Sequence, residues 1–255
     1  MLSERESIIW SNDSTGLVMT SVHCKLLTFS LMVSTAWAIV YEKKVTFYRG
    51  RQCSELFYFD YMNNLHESLD RVFYQGYVGD VSINNGKAQF YGRGHLEIAH
   101  FNANGFQGTF ALAVKFKAAE IFTYKEIGIL GNGQRSNTTT FLVSYIKTSL
   151  FLKTTVYKYQ RAKMITRDIN LEIPELHFVL ETQIRLAFSD GILMFQANSS
   201  PVVAARLETG EHLLPTGNNL SLGRAGGLQA FKGTVDDFIY YTCIPAKFFN
   251  KITWP

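Results

Sequence analysis

Charge is scarce in this sequence. Asp, Glu, Lys and Arg make up 18% of its 255 residues, where an average globular chain has about a quarter. The net charge is +4 and the isoelectric point near 8.8. So small a surplus excludes the dense basic face of a nucleic-acid binder, and no zinc-finger or other nucleic-acid motif is present. It still admits acidic partners such as sulfated glycans. Acidic runs of the kind a mineral-binding matrix protein carries are missing. Proline occurs 5 times and cysteine 3 times, which excludes a Pro-rich linker and a dense disulfide scaffold. There are no heptads and no helical repeat. No G-x-S-x-G nucleophile motif occurs, and His95, His100, His177 and His212 lack metal-ligand spacing. Gly223-Arg224-Ala225-Gly226-Gly227 is glycine-rich, but it lacks the Lys-Ser/Thr of a phosphate loop and precedes a strand pattern.

What the chain has instead is apolar and aromatic bulk. The hydrophobic fraction is 47%, the aromatic fraction 14%, with 20 Phe and 13 Tyr. Disorder is excluded at that composition, and flat rings favour pleated, half-buried surfaces. Period-2 alternation is frequent. From Thr109 to Lys117, Phe110, Leu112, Val114 and Phe116 alternate with Ala111, Ala113 and Lys115, one face for a core and one for solvent. Leu96 and Ile98, then Phe141, Val143 and Tyr145, then Leu150, Leu152, Thr154 and Val156 follow the same rule. Asn85-Gly86, Gly92-Arg93-Gly94, Asn104-Gly105 and Gly131-Asn132-Gly133 punctuate the runs, and Asp190-Gly191 reads as a tight hairpin. Many short strands at this spacing predict an all-β, two-sheet antiparallel sandwich of jelly-roll type. Glu67 to Tyr77 is the least strand-like stretch and reads as a loop with a turn of helix.

The N-terminus reads as an export signal. Residues 1–38 form an N-terminal extension and signal peptide, and 39–255 a single domain. His23 and Lys25 supply a weakly positive start, Leu26 to Val33 an apolar stretch, and Ala36-Trp37-Ala38 a small-residue cleavage site, with Met19 the expected initiator. The alternative is an uncleaved anchor, but the apolar run ends near Val40, short of the roughly 20 residues a span requires, so no membrane span is expected after cleavage. Cys24 leaves with the signal. Cys53 and Cys243 remain, 190 positions apart, as a pair that an oxidising compartment would join; two buried free thiols are the other reading. Asn137, Asn198 and Asn219 each open an N-x-S/T sequon for glycosylation. These features together place the protein outside the cell.

Four segments resemble laminin G-like domains of the concanavalin A-like class. Gly86-Lys87-Ala88-Gln89-Phe90-Tyr91-Gly92 is similar to their G-x-A-x-F-x-G strand, and Gly108 to Phe116 to their F-T-x-x-x-W-x-K core strand, with Phe116 in place of Trp. Ser189-Asp190-Gly191-Ile192-Leu193-Met194-Phe195 resembles the D-G-x-L-x-L-Y hairpin. Leu220 to Gly223 followed by Phe231-Lys232-Gly233-Thr234-Val235-Asp236-Asp237-Phe238-Ile239-Tyr240 resembles the closing L-x-I-G … F-x-G-x-I-D-D-V-x-I-Y. The resemblance covers Cys53 to Cys243 and implies an extracellular binding module without catalysis, recognising glycan or matrix and cell-surface protein. It also implies that a terminal disulfide is usual and that calcium can sit at one rim, for which Asp190 is the candidate ligand. Glycosidases of this fold use an E-x-D-x-E strand, absent here. Asp236 and Asp237 are adjacent in a strand and are expected on opposite faces.

The candidate binding residues are a basic, aromatic stretch. Lys153, Lys158, Arg161, Lys163 and Arg167 interleave with Tyr157 and Tyr159. If one strand runs through, Lys153, Arg161 and Lys163 share a face with both tyrosines, where cations would attract sulfate or carboxylate and rings would stack on sugar. A solvated strand edge kept soluble by charge is the bland alternative. Three functions compete: a secreted glycan- or protein-binding module, a structural matrix component that self-assembles or binds polysaccharide or mineral, and, least supported, a glycoside hydrolase.

Overall fold

A computed structural model describes residues 53–61, 75–101, 106, 108–119, 124–133, 139–178 and 180–249. The export signal, Asn104-Gly105 and Asn137 lie outside the described residues.

Among the described residues seventeen strands follow one another: β1 (Glu55–Phe59), β2 (Gln75–Val78), β3 (Val81–Asn84), β4 (Lys87–Tyr91), β5 (His95–Ile98), β6 (Phe110–Ala118), β7 (Ile127–Gly131), β8 (Phe141–Ile146) and β9 (Ser149–Gln160), then β10 (Lys163–Ile173), β11 (Thr182–Ser189), β12 (Ile192–Ala197), β13 (Val203–Arg206), β14 (His212–Leu213), β15 (Leu220–Leu222), β16 (Gln229–Ala230) and β17 (Lys232–Tyr241). One sheet has the order β13-β12-β11-β6-β17-β4-β3, with β1 added on β17; the other runs β10-β9-β8-β7-β15-β5-β2, with β14 on β9 and β16 on β7. The only parallel pair among the described strands is β16 with β7. The expected all-β sandwich is what the chain forms. Gln75 to Tyr77, the end of the stretch read as loop, instead belongs to β2, which pairs antiparallel with β5.

The inward residues of both sheets meet in one core. Phe110, Leu112, Val114 and Phe116 of β6 join Phe57, Phe59, Phe90, Val235, Phe238 and Tyr240, facing Leu96, Ile98, Phe141, Val143, Tyr145, Leu150 and Leu152. Phe57 stacks on Tyr240 at 5.1 Å, and Phe106 meets Phe141 edge-on at 4.7 Å, arrangements aromatic rings favour. Hairpin turns fall where the sequence offers positive φ. Asp190 and Gly191 stand at φ 50 and 71, Asn85 and Gly86 at 50 and 70, the mirror-image turn whose twist matches the strands.

Two expectations about strand faces are corrected. Ala111 and Ala113, read as solvent-facing, are buried beneath Ile244, Phe248 and Phe249, which fold back over Ala187, Met194 and Val202. This second, smaller core was invisible in local periodicity because its cover comes from the far end of the chain. The disulfide Cys53–Cys243 is present, with Cα atoms 6.0 Å apart. It lies beside the Glu55↔Tyr241 pairing of β1 with β17.

The other correction concerns Asp236 and Asp237. Asp236 pairs with Lys115 and Ile239 with Ala113, so β17 carries one extra residue, a β-bulge. Asp237 occupies it at φ 46, a conformation Asp tolerates better than most residues. Both carboxylates therefore emerge on the outer face. Asp236 meets Lys87 at 3.3 Å, and Lys87 also binds Glu181; Asp237 accepts from Tyr58 Oη at 2.5 Å and from Lys115 Nζ.

The pair titrates in opposite directions. Burial pushes the Asp237 carboxyl up, but the hydrogen bonds from Lys115 and Tyr58 outweigh it and hold it below the ordinary range. Burial raises Asp236, and the neighbouring Asp237 charge adds to it. Asp237 thus contributes stability above its unfolded pKa of about 3.9 and loses it as pH falls through the lower folded value. Asp236 contributes only below that unfolded value, and the contribution fades as pH rises through its folded one. Asp237→Asn is expected to lower stability at pH 7 by about 1 kcal/mol, a figure reduced for partial exposure. Asp236→Asn is expected to be neutral or stabilising there. Urea unfolding at pH 7 and pH 3 checks both, because the two variants should converge in acid.

Candidate binding site

The basic, aromatic stretch is not one strand. β9 ends at Gln160, Arg161 and Ala162 turn the chain at φ 51 and 62, and β10 returns antiparallel. Arg161-Ala162 lacks the Asn-Gly chemistry this turn favours, and two non-glycine residues in the left-handed region cost roughly 1–2 kcal/mol each. The reading in which Lys153, Arg161 and Lys163 share a face with the tyrosines is therefore corrected. Lys163 stands opposite Gln160 and Ile165 opposite Lys158, on the face away from Tyr157 and Tyr159. Arg161 sits at the tip between the two faces.

The tyrosine face is a platform. Tyr159 is 70% exposed. Its ring meets Tyr157 edge-on at 5.9 Å, and Tyr157 lies 5.8 Å from the His212 ring of β14. Met164, opposite Tyr159 and 49% exposed, borders it. His212 escaped sequence reasoning because its place beside Tyr157 is set by a two-residue strand 50-odd positions downstream; no local signal marks it.

Most of the cations in this region are already paired. Lys153 Nζ lies 2.8 Å from Asp168, on the tyrosine face, and Lys158 Nζ 2.7 Å from Glu208. Arg167 donates from Nε and Nη2 to Glu211 at 3.0 and 2.6 Å, a fork on a carboxylate that is 3% exposed. That fork holds Glu211 below the ordinary carboxylate range and pins the base of the hairpin. Among the described residues, no carboxylate pairs with Arg161 or Lys163.

The remaining candidates are dispersed. Asp190 occupies the β11–β12 turn and accepts from Ser189 Oγ at 3.3 Å; among the described residues no group of three or more His, Cys, Asp or Glu side chains is placed to hold a metal ion. Asn198 is exposed in the turn after β12, its Oδ1 accepting from the Gln183 backbone at 2.8 Å. Asn219 differs, because its Nδ2 donates to Glu97 at 2.9 Å, and a glycan on that nitrogen would displace the bond. No described helix is long and apolar enough to cross a membrane.

No family model matches the sequence, and no curated protein matches it. Solved structures do. The binding domain of botulinum neurotoxin DC, in complex with rat synaptotagmin II, aligns with a TM-score of 0.53 at 12% identity over 74% of this chain and 48% of that one. A type C botulinum neurotoxin structure, described by the dependence of its cell entry on two ganglioside molecules, aligns at 0.53 and 11%, again over 74% and 48%. Domain 4 of AbnA, an extracellular arabinanase from Geobacillus stearothermophilus in complex with arabinotriose, aligns at 0.52 and 11% over 75% of this chain and 93% of that domain. The chain thus spans about half the length of the toxin binding domains. At such identities the likeness establishes the β-sandwich fold.

Proposed function

We propose that this chain is an extracellular, non-catalytic, laminin G-like module that binds glycan on the Tyr157–Tyr159–His212 platform. The observation that carries the reading is the ring stripe on the outer face of β9, where Tyr159 and His212 are exposed and Tyr157 lies half-buried between them. Flat rings take the apolar face of a sugar. Arg161 stands at the end of the stripe with no carboxylate partner among the described residues, so a carboxylate or sulfate on the ligand would find it. Lys153 is neutralised by Asp168, which narrows the earlier expectation from a long cationic track to rings plus one cation. The sandwich neighbours solved with arabinotriose or tied to gangliosides support a glycan. The synaptotagmin complex keeps a protein ligand as the second reading. Secretion and matrix residence are supported by the disulfide and by the export-signal reading. The outer-face carboxylates Asp236 and Asp237 are held by lysines, which disfavours the hydrolase reading.

A glycan array in calcium and in chelator tests this. Oligosaccharides carrying a carboxylate or sulfate should be retained more strongly than neutral ones, in calcium and in chelator alike. Tyr157→Ala and Tyr159→Ala should each weaken retention about tenfold. Retention unchanged in both variants would overturn the platform.

A further inference from the structure

We propose that the tip of the β9–β10 ribbon, Lys158–Ile165, docks the protein on an anionic lipid surface. The inference goes beyond the glycan reading and rests on both faces of the ribbon tip, Ile165 and Lys163 on the face away from the tyrosines included.

The ribbon leaves the sheet. Tyr157 is the last β9 residue with a third strand beside it, through His212. Beyond it, Lys158↔Ile165, Tyr159↔Met164 and Gln160↔Lys163 pair only with each other. Three pairs at about 3.3 Å per residue project roughly 10 Å. That reach matches the roughly 5–10 Å to which interfacial segments sink at the headgroup boundary.

Its apolar side chains lie on both faces. Tyr159 and Met164 point one way and Ile165, 40% exposed, the other. Three of the six exposed large hydrophobic residues among those described are in these eight positions. A sugar or a flat protein surface engages one face and would leave Ile165 in water. An interface that surrounds the tip covers both faces at once.

The charge is complementary. Arg161 and Lys163 are unpaired by any described carboxylate, and no acidic residue occurs from Tyr157 to Arg167. The acids that neutralise Lys158 and Arg167, Glu208 and Glu211, come from the chain behind the tip. Two free cations beside exposed apolar groups are what anionic headgroups above an acyl boundary attract. The unpaired outer edge of β10 limits the depth, because free backbone N–H and C=O groups are tolerated among headgroups but not in hydrocarbon. The strained Arg161-Ala162 turn keeps a cation at the point of the tip where Asn-Gly would relax the backbone.

The test uses protein collected from the medium of expressing cells, in co-sedimentation with two kinds of vesicle. One is phosphatidylcholine alone; the other replaces about a third of it with phosphatidylserine. Sedimentation is expected with the anionic vesicles only, weakening as salt rises. Arg161→Ala with Lys163→Ala should lower the partition about tenfold or more. Ile165→Asp should lower it comparably while leaving the glycan array unchanged, and circular dichroism would confirm that this exposed substitution leaves the fold intact. Tyr157→Ala should do the reverse, so failure of the lipid reading and failure of the glycan reading are told apart. Absence of sedimentation with anionic vesicles would overturn the proposal. So would an Ile165→Asp variant that sediments like the parent, and so would capture by heparin with no vesicle binding, which would assign the free cations to a soluble polyanion.

Discussion

Serine at both Cys53 and Cys243 is expected to lower the unfolding free energy by about 5 kcal/mol. The bridge closes a loop of 190 positions, nearly the whole described domain. A cross-link of that span removes chain entropy from the unfolded state, and the gain grows with the logarithm of the loop. The native state has little to lose in geometry. Glu55 already pairs with Tyr241, two residues from each cysteine, and holds the two segments together without the sulfur bond. The effect therefore belongs to the unfolded chain, and it is a large part of the 5–15 kcal/mol typical of a domain. Thermal unfolding should fall by about 10–20 °C for a domain of roughly 200 residues. The parent protein should show the same fall in reductant and the double serine variant no further change. Coincident unfolding of oxidised and reduced protein would refute the assignment of stability to this bridge. The reduced chain should also become more adhesive, because Ile244, Phe248 and Phe249, which follow Cys243 directly, cover Ala111, Ala113 and Met194.

The contrast between β6 and the β9–β10 hairpin shows what the sequence could convey. Strands announced by alternation and turns announced by Asp-Gly or Asn-Gly were legible, because each signal is local: a pleat has period 2, and positive φ selects few residues. The two cysteines were legible for a different reason, since an even remainder after export leaves one pairing. The Arg161-Ala162 turn was not legible. Neither residue is a turn former, and both adopt positive φ against their preference, so the alternation of β9 appeared to run on. One missed turn then moved Lys163 to the other face, since a single step of register inverts a strand. The bulge at Asp237 failed in the same way, through a non-glycine residue in a conformation that usually advertises itself with glycine. The burial of Ala111 and Ala113 and the placing of His212 beside Tyr157 depended on partners far along the chain, which no local window contains. Half of the candidate site, the tyrosines, was therefore readable in advance. The free or neutralised state of each cation was not, because it depends on Asp168, Glu208 and Glu211 arriving from elsewhere.

Gly233→Ala should destabilise the sandwich by about 4 kcal/mol or prevent folding outright. Gly233 lies in β17, between Phe90 of β4 and Ala118 of β6, so both neighbouring strands fix its backbone. Its φ is 150, and a methyl group there would lie 2.1 Å from the Lys117 carbonyl oxygen and 2.7 Å from Phe231 Cζ. The carbonyl belongs to the sheet and cannot step aside, and the Phe231 ring is fully buried against Phe90 and Phe116. Relief would require β17 to part from β6, the pairing that also seats Val235 and Tyr240 in the core. Gly210→Ala supplies the comparison. That residue stands at φ 79 with nothing within 4 Å of the added carbon, so it bears only the conformational cost, roughly 1–2 kcal/mol. Urea unfolding of the two variants side by side separates steric collision from backbone preference. Equal losses would mean that the strand accommodates the methyl, and that the glycine of the F-K-G-T segment serves conformation alone. A much larger loss at Gly233 would tie that segment's glycine to the close approach of β6, the pairing that keeps this sheet continuous over the core.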